Sequence, residues 1–235
     1  MSLQDAVVVV AGAGGGAGAA VVHRLSAAGA IVVMADRGLE SMEALTAEIA
    51  TTGGQAHPYA VDLLDDAATK AWADSIASKF GRVDGVVHLV GGYRGGSPIN
   101  QADLADWDFL SGLLVRTVQH TSRAFYDALR ASPFGRFVLV SAVEASHPTA
   151  KNASYAAAKA AAEAWTLALA DSYNDTSAAA SIVIVKALLT PAMRAAKPDA
   201  KFTGYTEVAD LASAIAELWD QSAAEVNGVR LWLAE

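Results

Sequence analysis

The chain has 235 residues, of which 53% are hydrophobic, so it is long enough for an ordered domain with a large core. Its formal net charge of −8 argues against a surface for nucleic acid or anionic membranes, because both require basic patches. The absence of cysteine excludes disulfides, thiol catalysis and thiolate metal sites.

Short apolar segments alternate with long alanine-rich segments along the chain. Most apolar segments are continuous, which is typical of strands buried on both faces of a parallel sheet. This alternation predicts one α/β domain over residues 1–235, with a doubly wound, seven-stranded parallel sheet flanked by helices. The predicted strands are residues 6–11, 31–35, 56–61, 85–90, 136–141, 181–186 and 229–233. The predicted helices lie near residues 16–28, 39–52, 65–80, 101–131, 152–172 and 207–221, with capping residues at Asp65-Asp66 and Thr206-Glu207.

A glycine-rich turn joins the first predicted strand to the first helix. Gly12, Gly15, Gly16, Ala17 and Gly18 allow a tight turn in which the backbone approaches a pyrophosphate at the positive end of the helix. Between a first strand and a first helix this pattern favours dinucleotide binding over a flexible loop.

Two acidic residues follow the next two predicted strands. Asp36 is placed to accept both ribose hydroxyls of an adenosine and to repel a 2′-phosphate, which favours NAD(H) over NADP(H). Arg37 leaves NADP(H) as an alternative cofactor, because an arginine at this position can stack on adenine or bind a phosphate. Asp62 and Leu63 are candidates to flank the adenine, although Asp62 capping the next helix is an alternative.

Tyr155 and Lys159 lie four residues apart in an alanine-rich segment, which is typical of a helix. This spacing places both side chains on one helix face. A lysine ammonium beside a tyrosine lowers the tyrosine pKa and prepares it for proton transfer near neutrality. For such a pair alone, an exposed surface helix is the competing interpretation.

The glycine pattern from Gly12 to Gly18, Asp36, Asp62-Leu63 and Tyr155-x-x-x-Lys159 together resemble the short-chain dehydrogenase/reductase family over essentially the whole chain. The resemblance implies a single-domain Rossmann fold and hydride transfer between a nicotinamide and a carbonyl, alcohol or imine carbon. It implies that Tyr155 is the acid/base and that Lys159 binds the nicotinamide ribose and lowers the tyrosine pKa. It also implies that Thr190 binds the nicotinamide carboxamide, with a turn before Pro191 as the alternative.

The chain departs from the family pattern at the catalytic serine and asparagine. Ala142 stands where the family has the serine, and Ser141, one place earlier, is expected to point to the opposite face of its strand. Leu114 stands where the family has the asparagine. These departures predict an acceptor that needs only a hydride and a proton.

One branch of the family shares these departures. The segment Gly91-Gly92-Tyr93-Arg-Gly-Gly is similar to a glycine-aromatic segment of dihydropteridine reductases, which lack the serine and prefer NADH. We therefore expect Gly91 and Gly92 at the cofactor and Tyr93 stacked on a flat substrate, with a loop aromatic capping the core as the alternative. Ala142 and Glu144 are further substrate candidates, Glu144 selecting an amino-bearing substrate or remaining a solvated charge.

The resulting hypothesis is an NAD(P)H-dependent oxidoreductase acting on a small pteridine-like, quinonoid or imine acceptor. An ordinary carbonyl reductase or alcohol dehydrogenase, with Ser141 or a water replacing the serine, is one alternative. A cofactor-binding protein with little or no catalysis is another. The histidines show no ligand spacing, so no metal site is predicted. Relatives pair through the helices near residues 101–131 and 152–172, which favours a homodimer or homotetramer.

The N-terminal residues lack the basic start and apolar run of a signal peptide. No uninterrupted apolar segment reaches the roughly 20 residues that a membrane span requires. A cytoplasmic protein without a membrane or nucleic-acid partner is therefore expected.

Overall fold

The computed structural model describes residues 3–234, so Met1, Ser2 and Glu235 of the predicted domain lie outside the described residues. Seven parallel strands form the central sheet in the order β3-β2-β1-β4-β5-β6-β9. The strands are β1 (Val7–Ala11), β2 (Ile31–Asp36), β3 (Gln55–Ala60), β4 (Gly85–His88), β5 (Arg136–Ala142), β6 (Ala179–Val185), β7 (Ala187–Leu189), β8 (Tyr205–Glu207) and β9 (Arg230–Trp232). This is the predicted Rossmann-like architecture.

The helices cover both faces of the sheet. They are α1 (Gly18–Ala27), α2 (Glu40–Thr51), α3 (Asp66–Phe80), α4 (Ala105–Leu110), α5 (Thr117–Ala124), α6 (Tyr126–Ala131), α7 (Ala153–Ser172), α8 (Pro191–Ala196), α9 (Val208–Glu217) and α10 (Ala223–Val226). No helix within residues 3–234 is long and apolar enough to cross a bilayer.

The core consists of two apolar layers, one on each face of the sheet. Val8 and Val10 of β1 belong to the layer beneath α1, α2 and α9, whereas Val7 and Val9 belong to the layer beneath α3, α5 and α7. Successive side chains of a strand point to opposite faces, so a strand buried on both faces must be apolar throughout. This explains the continuous valine run at the start of the chain.

The order of the strands reverses between β1 and β4, which are neighbours in the sheet. Helices that follow β1 and β4 therefore leave towards opposite faces, and a crevice opens at the carboxyl ends of these two strands. The loops that begin at Gly12 and Leu89 flank this crevice, because they continue directly from the two strands.

The predicted long helix over residues 101–131 is helical over most of its length, but it begins at Ala105 and is not one regular α-helix. It is divided into α4, a π-helical turn at Ser111–Arg116, α5 and α6, and Phe125 leaves helical geometry with φ −100° and ψ 3°. Where the π-helical turn meets α5, the Thr117 hydroxyl donates to the Leu113 carbonyl over 2.7 Å, an interaction that bends helices. Apolar periodicity alone does not distinguish this division from one continuous helix.

The segment between β6 and α9 also contains more regular structure than predicted. β7 and β8 form a separate two-stranded parallel sheet around α8.

Asp65 caps α3 as predicted, accepting from the Ala68 amide over 3.0 Å. The predicted cap at Thr206-Glu207 is wrong, because Glu207 makes no side-chain cap and instead pairs with Arg194.

Candidate active site

A cleft of about 550 Å³ lies at the carboxyl ends of the strands. It gathers residues from the loops after β1, β2, β3, β4 and β6, from the end of β5 and from α7. Of the candidate catalytic, cofactor-binding and substrate-binding residues, only Gly18 and Glu144 do not line the cleft. Gly12, Gly15, Gly16 and Ala17 line it with Asp36 and Arg37. Further along lie Asp62, Leu63, Gly91 and Gly92. Tyr93, Ala142, Tyr155, Lys159 and Thr190 complete the set.

The glycine-rich turn is closely packed against the rest of the fold. Gly12 has a positive φ of 83°, and its amide donates to the Ala35 carbonyl over 2.8 Å. A Cβ atom on Gly12 would lie 2.8 Å from the Val90 amide nitrogen. Only glycine satisfies both the conformation and the approach without strain. The turn therefore brings bare backbone to the amino terminus of α1, where anions are stabilised.

Gly18 acts through packing, since it begins α1 and faces the turn itself. A Cβ atom added to Gly18 would lie 1.8 Å from the Ala13 carbonyl oxygen. We expect Gly18→Ala to destabilise the protein by about 1–3 kcal/mol, because backbone must move to relieve this contact. Gly38→Ala is the matched control, since a Cβ atom there meets nothing within 4 Å. Thermal unfolding measures both, and equal melting temperatures would contradict the packing role.

Asp36 ends β2 as predicted, and its carboxylate organises the glycine-rich turn. One oxygen accepts from the Gly14 amide over 3.0 Å, and the other accepts from the Arg37 amide over 2.7 Å. Asp36 is partly buried and borders the cleft, whereas Arg37 is exposed. Each carboxylate oxygen has more than one lone pair, so these contacts leave capacity for hydroxyl donors of a ligand.

Asp62 and Leu63 follow β3 at the same end of the cleft. The Asp62 carboxylate accepts from the Leu64 amide over 3.0 Å and closes a short turn. The alternative that Asp62 caps α3 is wrong, because Asp65 does so. Leu63 is buried and its carbonyl lies 3.0 Å from Nδ1 of His120.

The opposite end of the cleft is formed by α7. Lys159 is only 6% exposed, and its ammonium donates to the Val140 carbonyl of β5 over 2.9 Å. Tyr155 is partly buried one helical turn earlier, and the ring of Tyr93 meets it edge to face with 5.1 Å between centroids. Tyr93 itself is 59% exposed, so its ring also presents surface to solvent. The pair predicted from spacing therefore shares one site with an aromatic neighbour.

The pKa values of this pair differ from the expectation. The pKa of Tyr155 is raised to about 12, first by burial and then by the Glu144 carboxylate and Tyr93. The net direction of this shift is upward, opposite to the expected lowering, and its causes are burial, Glu144 and Tyr93. Burial lowers the pKa of Lys159 to about 8, opposed first by Glu163 and then by Glu144. At neutral pH Tyr155 is thus a protonated phenol beside a charged lysine.

Glu144 lies outside the cleft lining, in a short 3₁₀ turn at Val143–Ala145 after β5. One of its carboxylate oxygens is buried without a hydrogen-bond partner among residues 3–234. Glu144 is therefore not a fully solvated loop charge, and it contributes to the field at Tyr155 and Lys159.

The two positions at which the family resemblance predicts a serine and an asparagine are occupied by apolar side chains. Ala142 is buried at the cleft, and Leu114 packs against Tyr155 and Ala158. Ser141 borders the cleft, but its hydroxyl donates to Glu163 over 2.6 Å. The Ser141 hydroxyl is therefore committed to Glu163, although the residue itself borders the cleft.

His88, on β4, is fully buried in the layer beneath α5 and α7. Neither ring nitrogen of His88 has a hydrogen-bond partner among the described residues. Burial, with Lys159 nearby, lowers the pKa of His88 to about 3, so the ring is neutral at physiological pH.

The loops after β4 and β6 close the cleft from either side. The first is tied to the segment before α7, because the Gly96 amide donates to the Lys151 carbonyl over 2.7 Å. Thr190 caps α8 by accepting from the Met193 amide over 3.2 Å, which agrees with the turn-forming alternative, yet it also lines the cleft. Sequence reasoning missed Thr117 and Leu188 as lining residues, because no local pattern marks them.

Comparisons with known proteins agree with this geometry. Residues 6–201 match the family model described as short chain dehydrogenase. A short chain dehydrogenase of Pseudocercospora fijiensis is 30% identical over 161 residues, which cover 68% of this chain and 52% of that protein. The short-chain reductase protein NovJ of Streptomyces niveus is 30% identical over 167 residues, which cover 71% of this chain and 63% of that protein. The matched part thus spans about half to two thirds of these relatives.

Among solved structures, a short chain dehydrogenase from Burkholderia cenocepacia in complex with NADP superposes with a TM-score of 0.86 and 28% identity. The match covers 100% of this chain and 98% of the other.

Proposed function

Because this chain belongs to the short-chain dehydrogenase family, we propose that it is an NAD(P)H-dependent oxidoreductase that reduces a small-molecule acceptor. One observation carries the proposal: a single cleft joins the glycine-rich turn and Asp36 at one end to Tyr155 and Lys159 at the other. A dinucleotide has phosphates and a ribose at one end and a reactive ring at the other, which matches this arrangement.

The residues present fit such a cofactor. Bare backbone from Gly12 to Ala17 at the start of α1 would hold the pyrophosphate. Asp36 would hold the adenosine ribose, with Asp62 and Leu63 beside the adenine. Gly91 and Gly92, the pair Tyr155 and Lys159, and Thr190 would hold the nicotinamide half. When bound, the nicotinamide supplies the hydride.

We propose NAD(H) as the preferred cofactor. The support is the Asp36 carboxylate at the end of β2, which is held by the Gly14 and Arg37 amides and would repel a 2′-phosphate. NADP(H) is the alternative, favoured by the exposed Arg37 and by the NADP complex of the Burkholderia cenocepacia structure.

Tyr155 is the proposed proton donor. A phenol with a pKa of about 12 keeps its proton at neutral pH, so it is available as a general acid. As the acceptor takes up the hydride and its electron pair, the Tyr155 O–H bond breaks and the proton moves to the acceptor. The charged Lys159, one helical turn away, stabilises the phenolate that remains.

A flat heteroaromatic, quinonoid or imine acceptor, including a pteridine, is the proposed substrate class. The exposed ring of Tyr93 beside Tyr155 supports stacking of a planar molecule. Ala142 offers no hydrogen bond to a substrate oxygen, which supports an acceptor without an alkoxide-like intermediate. Glu144 would favour an amino-bearing substrate through its negative charge.

Two alternatives remain distinct from this proposal. In an ordinary carbonyl reductase or alcohol dehydrogenase a water would have to replace the serine, because the Ser141 hydroxyl is bound to Glu163. The other is a cofactor-binding protein with little or no catalysis. The presence of Tyr155 and the buried Lys159 in one cleft argues against it.

A homodimer or homotetramer is proposed as the assembly. The outer faces of α5, α6 and α7 share a groove of about 380 Å³ bordered by Tyr126, Trp165 and Leu169. Aromatic side chains of this kind are enriched at protein interfaces.

The proposed function is tested by following NADH oxidation with a panel of acceptors: quinonoid dihydropterin, quinones, cyclic imines and simple ketones. We expect turnover with the planar conjugated acceptors and little with the ketones. Faster turnover of simple ketones would favour the carbonyl reductase alternative, and no turnover despite tight NADH binding would favour the non-catalytic one.

A further inference from the structure

A second buried charge lies on α7, and the proposed reaction makes no use of it. Glu163 follows Lys159 by four residues, so the two side chains lie on the same side of the helix. Glu163 is only 2% exposed. One carboxylate oxygen accepts from the Ser141 hydroxyl over 2.6 Å, and the other pairs with Nε of Arg230 over 2.9 Å. A carboxylate is buried at low cost only with such partners.

The partners of Glu163 adjoin the anchor of Lys159. Ser141 directly follows Val140, whose carbonyl accepts from the Lys159 ammonium over 2.9 Å. The end of β5 is therefore joined to α7 at two successive residues, once through Lys159 and once through Glu163. Arg230 adds β9 to this connection.

Building on the proposed roles of Tyr155 and Lys159, we propose that Glu163 is a positioning residue for Lys159. Bound to Ser141 and Arg230, it holds the Lys159 turn of α7 against β5 and keeps the buried ammonium charged.

The electrostatics of Lys159 support this assignment. Burial lowers the pKa of Lys159 to about 8, and Glu163 is the largest opposing influence, followed by Glu144. Without Glu163 the pKa would fall further, and the lysine would lose its proton within the physiological range. The titratable groups around Lys159 are Tyr155 and Glu163 on α7, Glu144 after β5 and His88 on β4, with Arg230 on β9 behind Glu163.

The direct test is an NMR titration of the lysine side-chain ¹⁵Nζ and ¹³Cε signals, with the Lys159 signal assigned through Lys159→Arg. In Glu163→Gln, which keeps the shape but removes the charge, we expect the pKa of Lys159 to fall by about one unit. Glu217→Gln is the matched control, because Glu217 is an exposed acid on α9. An unchanged Lys159 pKa in folded Glu163→Gln would overturn the proposal.

Glu163→Gln leaves Arg230 without its carboxylate, so a second variant guards against loss of the fold. The double replacement Glu163→Met with Arg230→Met removes the pair together, which buried ion pairs often tolerate. A lower Lys159 pKa is expected here too. Loss of the buried carboxylate lowers this pKa more than loss of the Arg230 charge raises it, because the Arg230 side chain is 42% exposed and its charge is screened by solvent. A wild-type Lys159 pKa in this variant would likewise overturn the role of Glu163.

Activity supplies an independent measurement of the same effect. For an acceptor that is turned over, the loss of NADH oxidation at alkaline pH should begin about one pH unit lower in Glu163→Gln. A purely structural role would lower thermal stability without moving this limb. If no acceptor is turned over, the proposed function fails, whereas the NMR titration still decides the role of Glu163.

Discussion

Tyr155→Phe is expected to lower the rate of acceptor reduction about 10²–10⁴-fold, the usual contribution of a general acid, with little change in NADH affinity. The phenyl ring would keep the edge contact with Tyr93 and the packing against Leu114, so only the hydroxyl group is lost. Steady-state NADH oxidation measures the rate, and fluorescence titration with NADH measures the affinity.

The control for this experiment is Tyr59→Phe. Tyr59 lies on β3, where its hydroxyl is 3.3 Å from the Lys79 ammonium, and it does not line the cleft. Its replacement should leave both rate and affinity unchanged. Unchanged activity in Tyr155→Phe would refute the assigned proton donor, whereas a parallel loss of NADH affinity would assign Tyr155 to binding.

Asp36→Asn is expected to reduce the preference for NADH over NADPH by at least about tenfold, which corresponds to about 1.4 kcal/mol. The asparagine oxygen can still accept from the Gly14 amide, so the glycine-rich turn is retained while the charge that repels a 2′-phosphate is removed. Dissociation constants for both dinucleotides, measured by fluorescence, give the preference directly.

Glu43→Gln is the matched control, since Glu43 is an exposed acid in the first turn of α2. If it changed the preference as much as Asp36→Asn, a diffuse effect of net charge would be responsible. Equal affinities of the unaltered protein for NADH and NADPH would contradict the assignment of Asp36 as the selecting residue.

The central sheet can be predicted from the sequence because each strand is marked by a pattern within its own few residues. The five inner strands are largely apolar, because burial on both faces allows little else, whereas the edge strands β3 and β9 are partly polar and partly exposed. Four site residues can be predicted from the sequence for a related reason, since each lies at or near the end of a strand or on one helix face. They are Gly12, Asp36, Tyr155 and Lys159. These positions meet in the cleft once the sheet is assembled.

The remaining features depend on contacts between distant segments. Periodicity places Glu163 on the face of Lys159, but Arg230 lies 67 residues away and carries no local sign of the pairing. Likewise, burial and the Glu144 carboxylate raise the pKa of Tyr155, whereas a lowered pKa was expected. The sequence does not show this, because tertiary packing sets both the depth of the phenol and the position of Glu144. The division of residues 101–131 depends on a π-helical turn that no periodic pattern marks.

The central claim is that Tyr155 and Lys159 suffice as the proton-transfer groups of a hydride-transferring enzyme. The most direct measurement is single-turnover NADH oxidation with quinonoid dihydropterin, comparing ordinary NADH with NADH deuterated at C4. We predict oxidation by the unaltered protein that is slower with deuterated NADH, and little oxidation by Tyr155→Phe. Tight binding of NADH without oxidation, or equal oxidation by both proteins, would contradict the claim.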